Sequence, residues 1–349
     1  MSISSILKII SGEQTGFVAS VVRLALGCLT PLYRFALWFR NRQFDSGSRK
    51  VESVSAKVIS VGNITTGGTG KTPMVIWICE LLQRHQIKVG IVSRGYGAAE
   101  TGKPNDEALE LESRLPAVPH VQNPDRVAAA NRCIKEHSVD TIVLDDGFQH
   151  RRLGRDLDIV LIDASNPFGY GRLLPRGLLR EPLSALGRAD FVVITRCDRV
   201  DEDKIEKIRS RIEKETSASI GRTRTTAVAL VQFSGKEVNL EELRTGNWFA
   251  ASAIGNPTSF ENSLTDLGCD LCGSHQFRDH HRFDETELFK LAQSAKDSGA
   301  DRLVCTHKDL VKIERDSIDG LSLYALKIEL EFLEGQADLE KLILENGRG

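Results

Sequence analysis

A glycine-rich segment followed by lysine and threonine is the strongest chemical signal in this sequence. Residues 58–73 read VISVGNITTGGTGKTP, a short apolar run that passes through three glycines to Lys71, Thr72 and Pro73. A glycine-rich loop between a strand and a helix directs several backbone N–H groups and the positive end of the helix dipole at one point. The segment therefore predicts a site for the phosphates of a nucleotide.

The spacing assigns a role to each residue of the loop. In such loops the lysine contacts the β- and γ-phosphates, and the hydroxyl that follows it binds Mg²⁺. Thr65 stands where the pattern G-x-x-x-x-G-K-[ST] has its first glycine, and a glycine-rich turn of some other α/β protein is the alternative. The predicted ATP-phosphate site consists of Thr65, Thr66, Gly67, Gly68, Thr69, Gly70, Lys71 and Thr72.

An aspartate pair ends a second apolar run. Residues 141–146 read TIVLDD, so Asp145 and Asp146 follow a predicted strand. P-loop enzymes complete the Mg²⁺ shell with a carboxylate in this position. We therefore predict a magnesium site formed by Thr72, Asp145 and Asp146. Asp163 ends another apolar run and could compete for this role, but the doubled carboxylate favours the first pair.

Three further segments carry residues suited to substrate binding, each with a structural alternative. SRGYG at residues 93–97 leads into a polar loop through Asp106, which is either a substrate lid or a solvated surface loop. Arg172, Arg176 and Arg180 either face an anionic substrate or point into solvent. Residues 276–283, QFRDHHRF, are either a proton-transfer or substrate-binding element or a capped turn.

Alternating strand and helix patterns must position these residues. Apolar runs at 58–61, 89–92, 141–144, 159–162 and 191–194 alternate with helical patterns at 75–84 and 126–137. This order is typical of a P-loop NTPase-type three-layer α/β/α domain with a mostly parallel sheet, whose ligands lie at the carboxyl ends of the strands.

The rest of the chain predicts two further segments. Residues 226–349 repeat the βα pattern and predict a second, smaller α/β domain that closes over the active-site cleft. The nucleotide-binding domain is placed at 51–225, because a charged stretch ends near 225. Residues 1–50 form a separate N-terminal helical segment.

Composition excludes some classes of protein. A net charge of −2 argues against a nucleic-acid binder that acts through an overall basic field. Seven scattered cysteines, an odd number, argue against a disulfide framework. Cys269 and Cys272 have C-x-x-C spacing, but without a second pair they are read as packing residues.

The N-terminal segment is apolar and carries arginines. Residues 17–39 are interrupted by Arg23, Pro31 and Arg34, so no unbroken apolar run reaches the roughly 18–20 residues of a spanning helix. A secretory signal is not expected, because no small-residue cleavage site follows a charged start. The pattern predicts a helix at a membrane surface, and packing on the protein's own core is the alternative.

Seven motifs in order resemble the tetraacyldisaccharide 4′-kinase (lipid A 4′-kinase) family of Gram-negative-type bacteria, over about residues 58–312. They are VGNITTGGTGKTP, SRGYG, LDDGFQHR, LLPRGLLREPLSAL, AIGNPTSF, FRDHHRF and THKDLVK. The resemblance implies transfer of the γ-phosphate of ATP, with Mg²⁺, to the 4′-hydroxyl of a lipid A disaccharide 1-phosphate. It also implies a location at the cytoplasmic face of the inner membrane, anchored by the N-terminal helix.

The resemblance also implies roles for individual residues. Asp106 matches the family's catalytic aspartate, although its flanking residues differ, and His280 matches the histidine that partners it. Lys71 matches the P-loop lysine, and Arg126 matches a basic residue near the phosphates. Arg176 and Arg180, predicted from the arginine-rich stretch itself, are further candidates for binding the substrate or its phosphate. No obligate protein partner is inferred. The alternative function is a membrane-associated P-loop ATPase of the partitioning or assembly type, although such ATPases usually carry an extra lysine early in the loop.

Overall fold

The computed structural model describes residues 3–95, 106–279 and 281–347. The helices are α1 Ile3–Ser11, α2 Phe17–Asp45, α3 Lys71–Arg84, α4 Asp106–Arg114, α5 Arg126–His137, α6 Glu202–Glu213, α7 Pro257–Asp266, α8 Glu285–Asp297, α9 His307–Ile313 and α10 Gln336–Gly347. The strands are β1 Lys57–Asn63, β2 Val89–Ser93, β3 His120–Gln122, β4 Thr141–Asp145, β5 Leu157–Asp163, β6 Phe191–Thr195, β7 Ser219–Val231, β8 Glu237–Val238, β9 Trp248–Ser252, β10 Leu271–Gln276, β11 Arg302–Thr306, β12 Ser317–Ile318 and β13 Leu321–Glu334.

The chain divides into two compact units, and neither is continuous in sequence. The first unit comprises the described parts of Met1–Arg94, Ala117–Arg224 and Leu330–Gly349. The second comprises the described parts of Gly95–Pro116 and Thr225–Glu329. The chain crosses between the units near residue 225. The described parts of residues 95–116 belong to the second unit, and those of residues 330–349 belong to the first.

A parallel sheet forms the centre of the first unit. Its strands lie in the order β7, β6, β5, β1, β4, β2, β3, and each neighbouring pair is parallel. Strands β2, β4, β5 and β6 are buried along their whole length. Helices on both faces of a parallel sheet require such continuous apolar strands, which explains why these runs could be recognised in the sequence.

The last described helix completes the core of the first unit. Leu339 and Ile343 of α10 are fully buried. The hydroxyl of Thr141, at the start of β4, donates a hydrogen bond of 2.7 Å to the carbonyl of Gly347. The C-terminal helix thus packs on strands formed some 200 residues earlier in the chain.

The second unit has its own sheet and core. Strand β9 pairs in parallel with β10 and β11, and β11 pairs in parallel with β13. Phe249, Leu303 and Leu323 of these strands pack with Leu291 of α8. Helix α8 begins with a capping box in which Asp284 and Glu287 each bind the other's backbone N–H. The fold is therefore the predicted mostly parallel α/β architecture with a second α/β unit.

The predicted and observed elements differ most near residue 220. The charged stretch before residue 225 contains α6, and the threonine and arginine residues that follow this helix belong to the 13-residue strand β7. Thr223 of this strand is fully buried, although it is polar. The chain therefore crosses from the first unit to the second inside a strand. The β-branched threonines of this segment fit a pleated strand well.

Helix α2 is longer and more continuous than the sequence indicates. It runs for 29 residues through Pro31, which a long helix tolerates at a local cost of about 3 kcal/mol. By length and hydropathy it is the one helix among the described residues that could cross a membrane, and 6% of its most apolar window is buried. Phe17, Leu24, Leu32 and Phe35 are each more than 60% exposed.

Candidate active site

The glycine-rich loop of the first unit has the backbone geometry of a phosphate cradle. Gly67 and Gly70 have φ angles of 110° and 85°, and Gly70 forms the N-cap of α3. Only glycine adopts these conformations at little cost, so the two residues set the course of the loop. Thr66, Gly67 and Gly68 are exposed, whereas Thr69 is buried. The loop thus presents its backbone to solvent directly before a helix N-terminus, where anions bind.

Two neighbouring segments fix this loop from either side. The N–H of Thr66 donates to the carbonyl of Leu178 at 2.8 Å, and the N–H of Arg180 donates to the carbonyl of Ile64 at 2.7 Å. On the other side, the hydroxyl of Thr195 at the end of β6 donates to the carbonyl of Thr69 at 3.0 Å. The loop is therefore held before any ligand binds.

A cluster of charged side chains lies at the start of α3. Nζ of Lys71 is 3.6 Å from Oδ1 of Asp146. Nη1 of Arg180 donates to Oδ1 and Oδ2 of Asp146 at 2.8 and 3.0 Å, and to Oδ1 of Asn63 at 3.3 Å. The structure thus brings together the predicted phosphate-binding lysine, one predicted magnesium ligand and one predicted substrate-binding arginine.

Asp146 is held as a carboxylate by these neighbours. Burial alone would raise its pKa, but the charges of Lys71 and Arg180 outweigh burial, and the pKa lies below the ordinary value of 3.8. Its φ angle of 53° is unusual for a residue other than glycine. This turn is stabilised by the N–H of Gly147, which donates to the carbonyl of Val61 at 3.1 Å.

Arg126 and Asp145 lie near the same cluster. Arg126 begins α5 and is 5% exposed, and burial lowers the pKa of its guanidinium while Asp145 and Asp146 raise it. Its Nη1 donates to the carbonyl of Pro124 at 2.9 Å. Asp145 is buried at the last position of β4, beside the loop that carries Lys71. The part of the chain that the structure describes has no group of three or more His, Cys, Asp or Glu side chains able to hold a metal ion.

Asp163, the competing carboxylate, binds other partners. It forms an ion pair with Arg196 and accepts a hydrogen bond of 2.6 Å from the hydroxyl of Ser165. Arg196 has a left-handed backbone with a φ angle of 57°, which directs its guanidinium toward Gly68 of the loop. These contacts engage Asp163 in fixing Arg196.

Arg176 lies apart from the charged cluster. Its Nη1 donates to the carbonyl of Ile10 in α1 at 3.3 Å, whereas Arg180 binds Asp146. The two arginines, four residues apart in the sequence, therefore have different partners. Tyr33 of α2 donates its hydroxyl hydrogen to the carbonyl of Arg180 at 2.9 Å, so the N-terminal helix is attached to the residue that binds Asp146.

The predicted catalytic aspartate belongs to the second unit. Asp106 is the first residue of α4, where the positive end of the helix dipole stabilises a carboxylate. Nζ of Lys312 in α9 is 3.5 Å from Oδ2 of Asp106 and 2.9 Å from Oδ1 of Asp309. His280, its expected partner, lies outside the described residues, as do Tyr96, Gly97 and Asn105 of the predicted substrate loop.

Residues 22–348 match the family tetraacyldisaccharide-1-P 4′-kinase. This protein belongs to that family. A tetraacyldisaccharide 4′-kinase of Halothermothrix orenii is 34% identical, with 97% of each chain aligned. One of an Anaeromyxobacter species is 37% identical over 88% of this chain and 87% of the relative. The crystal structure of LpxK from Aquifex aeolicus in complex with ATP superposes with a TM-score of 0.75 at 29% identity, covering 93% of this chain and 99% of that one.

Membership of the tetraacyldisaccharide 4′-kinase family confirms the resemblance found in the sequence motifs. It also confirms the P-loop α/β fold class and the prediction of an ATP-dependent kinase. The alternative of a partitioning-type ATPase is not favoured. The predicted assignments of individual site residues stay predictions.

The sequence motifs gave no role to three side chains that the structure places at these sites. Lys312 beside Asp106 follows Asp309 by three residues, so helical spacing could have paired it with a carboxylate. Arg196 and Asn63 lie at the loop and at Arg180. Both stand at or directly after a strand's carboxyl end, which is the general position for ligand contacts in such sheets.

Proposed function

We propose that this protein transfers the γ-phosphate of ATP to the 4′-hydroxyl of a tetraacyldisaccharide 1-phosphate, a precursor of lipid A. The observation that carries the proposal is the match to the 4′-kinase family over residues 22–348. The cluster of Lys71, Asp146 and Arg180 at a glycine-rich loop supports it, because phosphoryl transfer depends on positioning and charge neutralisation.

The first unit holds the nucleotide in this proposal. Backbone N–H groups of Gly67, Gly68 and Gly70 bind phosphate oxygens, and Lys71 neutralises charge on the β- and γ-phosphates. Arg126 and Arg180 are placed to bind phosphate oxygens, since guanidinium groups pair with phosphate in a forked geometry. The sequence also predicts Arg176 as a substrate contact, but its Nη1 donates to the carbonyl of Ile10.

The residues at the loop suit magnesium. Asp145, Asp146 and the hydroxyl of Thr72 offer the hard oxygen ligands that Mg²⁺ prefers, from a strand end and a helix start. A bound Mg²⁺ would neutralise charge on the transferring phosphate. Lys71 and Arg180 balance the charge of Asp146.

Asp106 is the proton acceptor in this proposal. Asp106 accepts the proton of the 4′-hydroxyl while a bond forms between that oxygen and the γ-phosphorus, and the bond from phosphorus to the bridging oxygen of ADP breaks. His280 orients Asp106, as the family resemblance implies. Asp106→Ala is expected to lose most turnover while retaining affinity for ATP.

Transfer of label from γ-labelled ATP to a lipid A disaccharide 1-phosphate in mixed micelles tests the function. With Mg²⁺, label should appear in the lipid with the wild-type protein and not with Lys71→Ala, because the lysine binds the transferred group. A reaction without lipid is the control. Label released only as free phosphate, with or without lipid, would establish the ATPase alternative instead.

We propose a location at the cytoplasmic face of the inner membrane, as the family resemblance implies, and the exposed face of α2 supports attachment to a lipid surface. Leu24, Leu32 and Phe35 are 70%, 68% and 63% exposed, and apolar side chains on a helix with arginines suit a membrane interface. The expected interaction is with the lipid surface that contains the substrate.

Vesicle flotation tests this location. Replacing both Leu32 and Phe35 by Glu should release the protein from anionic vesicles, because the carboxylates would have to enter the apolar layer. The same change at Phe289 of α8, which is 56% exposed, is the matched control and should leave binding unaltered. Equal flotation of all three proteins would contradict membrane attachment through α2.

A further inference from the structure

A buried ammonium group lies between two carboxylates of the second unit. Lys312 is 5% exposed, and its Nζ is 3.5 Å from Asp106 and 2.9 Å from Asp309, which is fully buried. Burying a charge is costly unless it is paired, so a lysine in this position is retained for its partners.

Asp309 is fixed by contacts that do not involve Lys312. Its Oδ2 accepts hydrogen bonds from the N–H of Ala253 at 3.1 Å and from the hydroxyl of Thr306 at 2.6 Å. These donors lie at the carboxyl ends of β9 and β11. The carboxylate is thereby attached to the sheet, and its Oδ1 anchors Lys312.

An aromatic ring also contacts the ammonium group of Lys312. Nζ of Lys312 is 5.4 Å from the centroid of the Phe283 ring, which attracts a cation by its face. The ring and Asp309 thus both contact the ammonium group that lies beside Asp106. The chain of contacts therefore runs from the sheet through Asp309 and Lys312 to Asp106.

Other charged groups of α4 and α9 form other ion pairs. Glu107 pairs with Lys308 at 3.9 Å, and Arg114 pairs with Glu329 at 4.0 Å. Burial raises the pKa of Glu110, against the charges of Lys308 and Arg114. The thiol of Cys305 faces the Asp309 and Lys312 pair, and burial raises its pKa too. Lys312 pairs with Asp106 at 3.5 Å.

We propose that Lys312 is a positioning residue for the phosphoryl transfer. Its ammonium group holds the carboxylate of Asp106 in place and stabilises its negative charge, and Asp309 acts through Lys312. This inference rests on the proposed role of Asp106 as proton acceptor. Lys312 and Asp309 both belong to the THKDLVK motif, so this motif supports the proton acceptor.

Kinetics of Lys312 variants test the proposal. Lys312→Met should lower kcat roughly 10- to 100-fold with the KM for ATP and lipid unchanged, because misplacing a reacting group affects the transition state. Lys312→Arg should restore part of the rate, since the charge is kept. Lys308→Met, one turn earlier in α9, is the matched control and should retain wild-type kinetics.

A double variant separates positioning from folding. Lys312→Met alone removes the ion-pair partner of the buried Asp309, and this should lower the Tm. Adding Asp309→Asn removes that charge and should restore the Tm while kcat stays low. Recovery of kcat together with the Tm would overturn the proposal, because Lys312 would then serve only to neutralise Asp309.

Hydrogen exchange gives a readout that does not depend on the lipid assay. In Lys312→Met with Asp309→Asn, the amides of Glu110–Arg114, which have helical acceptors in α4, should exchange faster, whereas in Lys308→Met they should not. Unchanged exchange would contradict the positioning role. If wild-type protein released only free phosphate, the kinase function would fail, and the exchange result would still decide whether Lys312 positions Asp106.

Discussion

One guanidinium nitrogen of Arg180 donates hydrogen bonds to both carboxylate oxygens of Asp146, at 2.8 and 3.0 Å. The backbone carbonyl of the same arginine accepts the hydroxyl hydrogen of Tyr33 in α2. A single residue thus contacts the predicted magnesium site with its side chain and the N-terminal helix with its backbone.

Arg180 and Arg176 should therefore respond differently to substitution. Arg180→Met releases Asp146 and should lower kcat at least about tenfold. Arg176→Met removes a hydrogen bond to the carbonyl of Ile10, so it should leave kcat intact and speed proteolysis between α1 and α2. Steady-state kinetics and limited proteolysis check both. A raised KM for lipid in Arg176→Met would restore the substrate-binding role predicted from the sequence.

Asp146→Asn should separate nucleotide binding from turnover. The change removes the carboxylate that balances Lys71 and Arg180, so ATP without metal should bind at least as tightly as to wild type. Turnover should fall about 100-fold, because one predicted Mg²⁺ ligand is lost. Nucleotide titrations with and without Mg²⁺ measure the binding. Asp203→Asn, at an exposed position of α6, is the control. Weaker binding without metal would show that Asp146 shapes the loop itself.

Gly62→Ala should destabilise the first unit. A Cβ at this position of β1 would lie 2.5 Å from Cβ and 2.7 Å from the backbone nitrogen of Phe148, which is fully buried. The strain should cost about 1–3 kcal/mol and lower the Tm by several degrees. Gly27→Ala, where an added Cβ meets nothing within 4 Å, is the control and should be neutral or slightly stabilising. Equal thermal unfolding of the two variants would contradict the packing.

Buried histidines should make the protein less stable in acid. Burial lowers the pKa of His307 to about 4, from 6.5 when exposed, and His120 and His150 are shifted to about the same value. Between these values the unfolded chain binds a proton that the folded chain does not. The contribution of these histidines to the free energy of unfolding is therefore fully present above about pH 6.5, and it is lost as the pH falls toward 4.

Substituting His307 isolates its share of this acid sensitivity. His307→Gln should reduce the change in the free energy of unfolding with pH by at most about 3 kcal/mol. Urea unfolding at about pH 4.5 and pH 7 measures this change. The difference between wild type and variant at pH 7 reports packing alone and serves as the reference. Parallel pH profiles would show that His307 is not the residue that titrates.

The sequence predicted elements well where local pattern decides them. The bounds of α5 were predicted to the residue, and Lys71 lies at the start of a helix as the continuous glycine-rich motif indicates. Long-range partners were not predictable in this way. Lys312 lies about 200 positions from Asp106, and no periodicity signals such a contact. The different partners of Arg176 and Arg180 likewise depend on where α1 and Asp146 lie in the folded chain.

The contact of Thr141 with Gly347 has a consequence for biosynthesis. Chains emerge from the ribosome N-terminus first, and the P-loop strands are made long before α10. Until that last helix is synthesised, the hydroxyl of Thr141 and the surface covered by Leu339 and Ile343 lack their partners. The nucleotide-binding unit therefore reaches its final packing only after the second unit has been translated, so a newly made chain acquires its kinase core last.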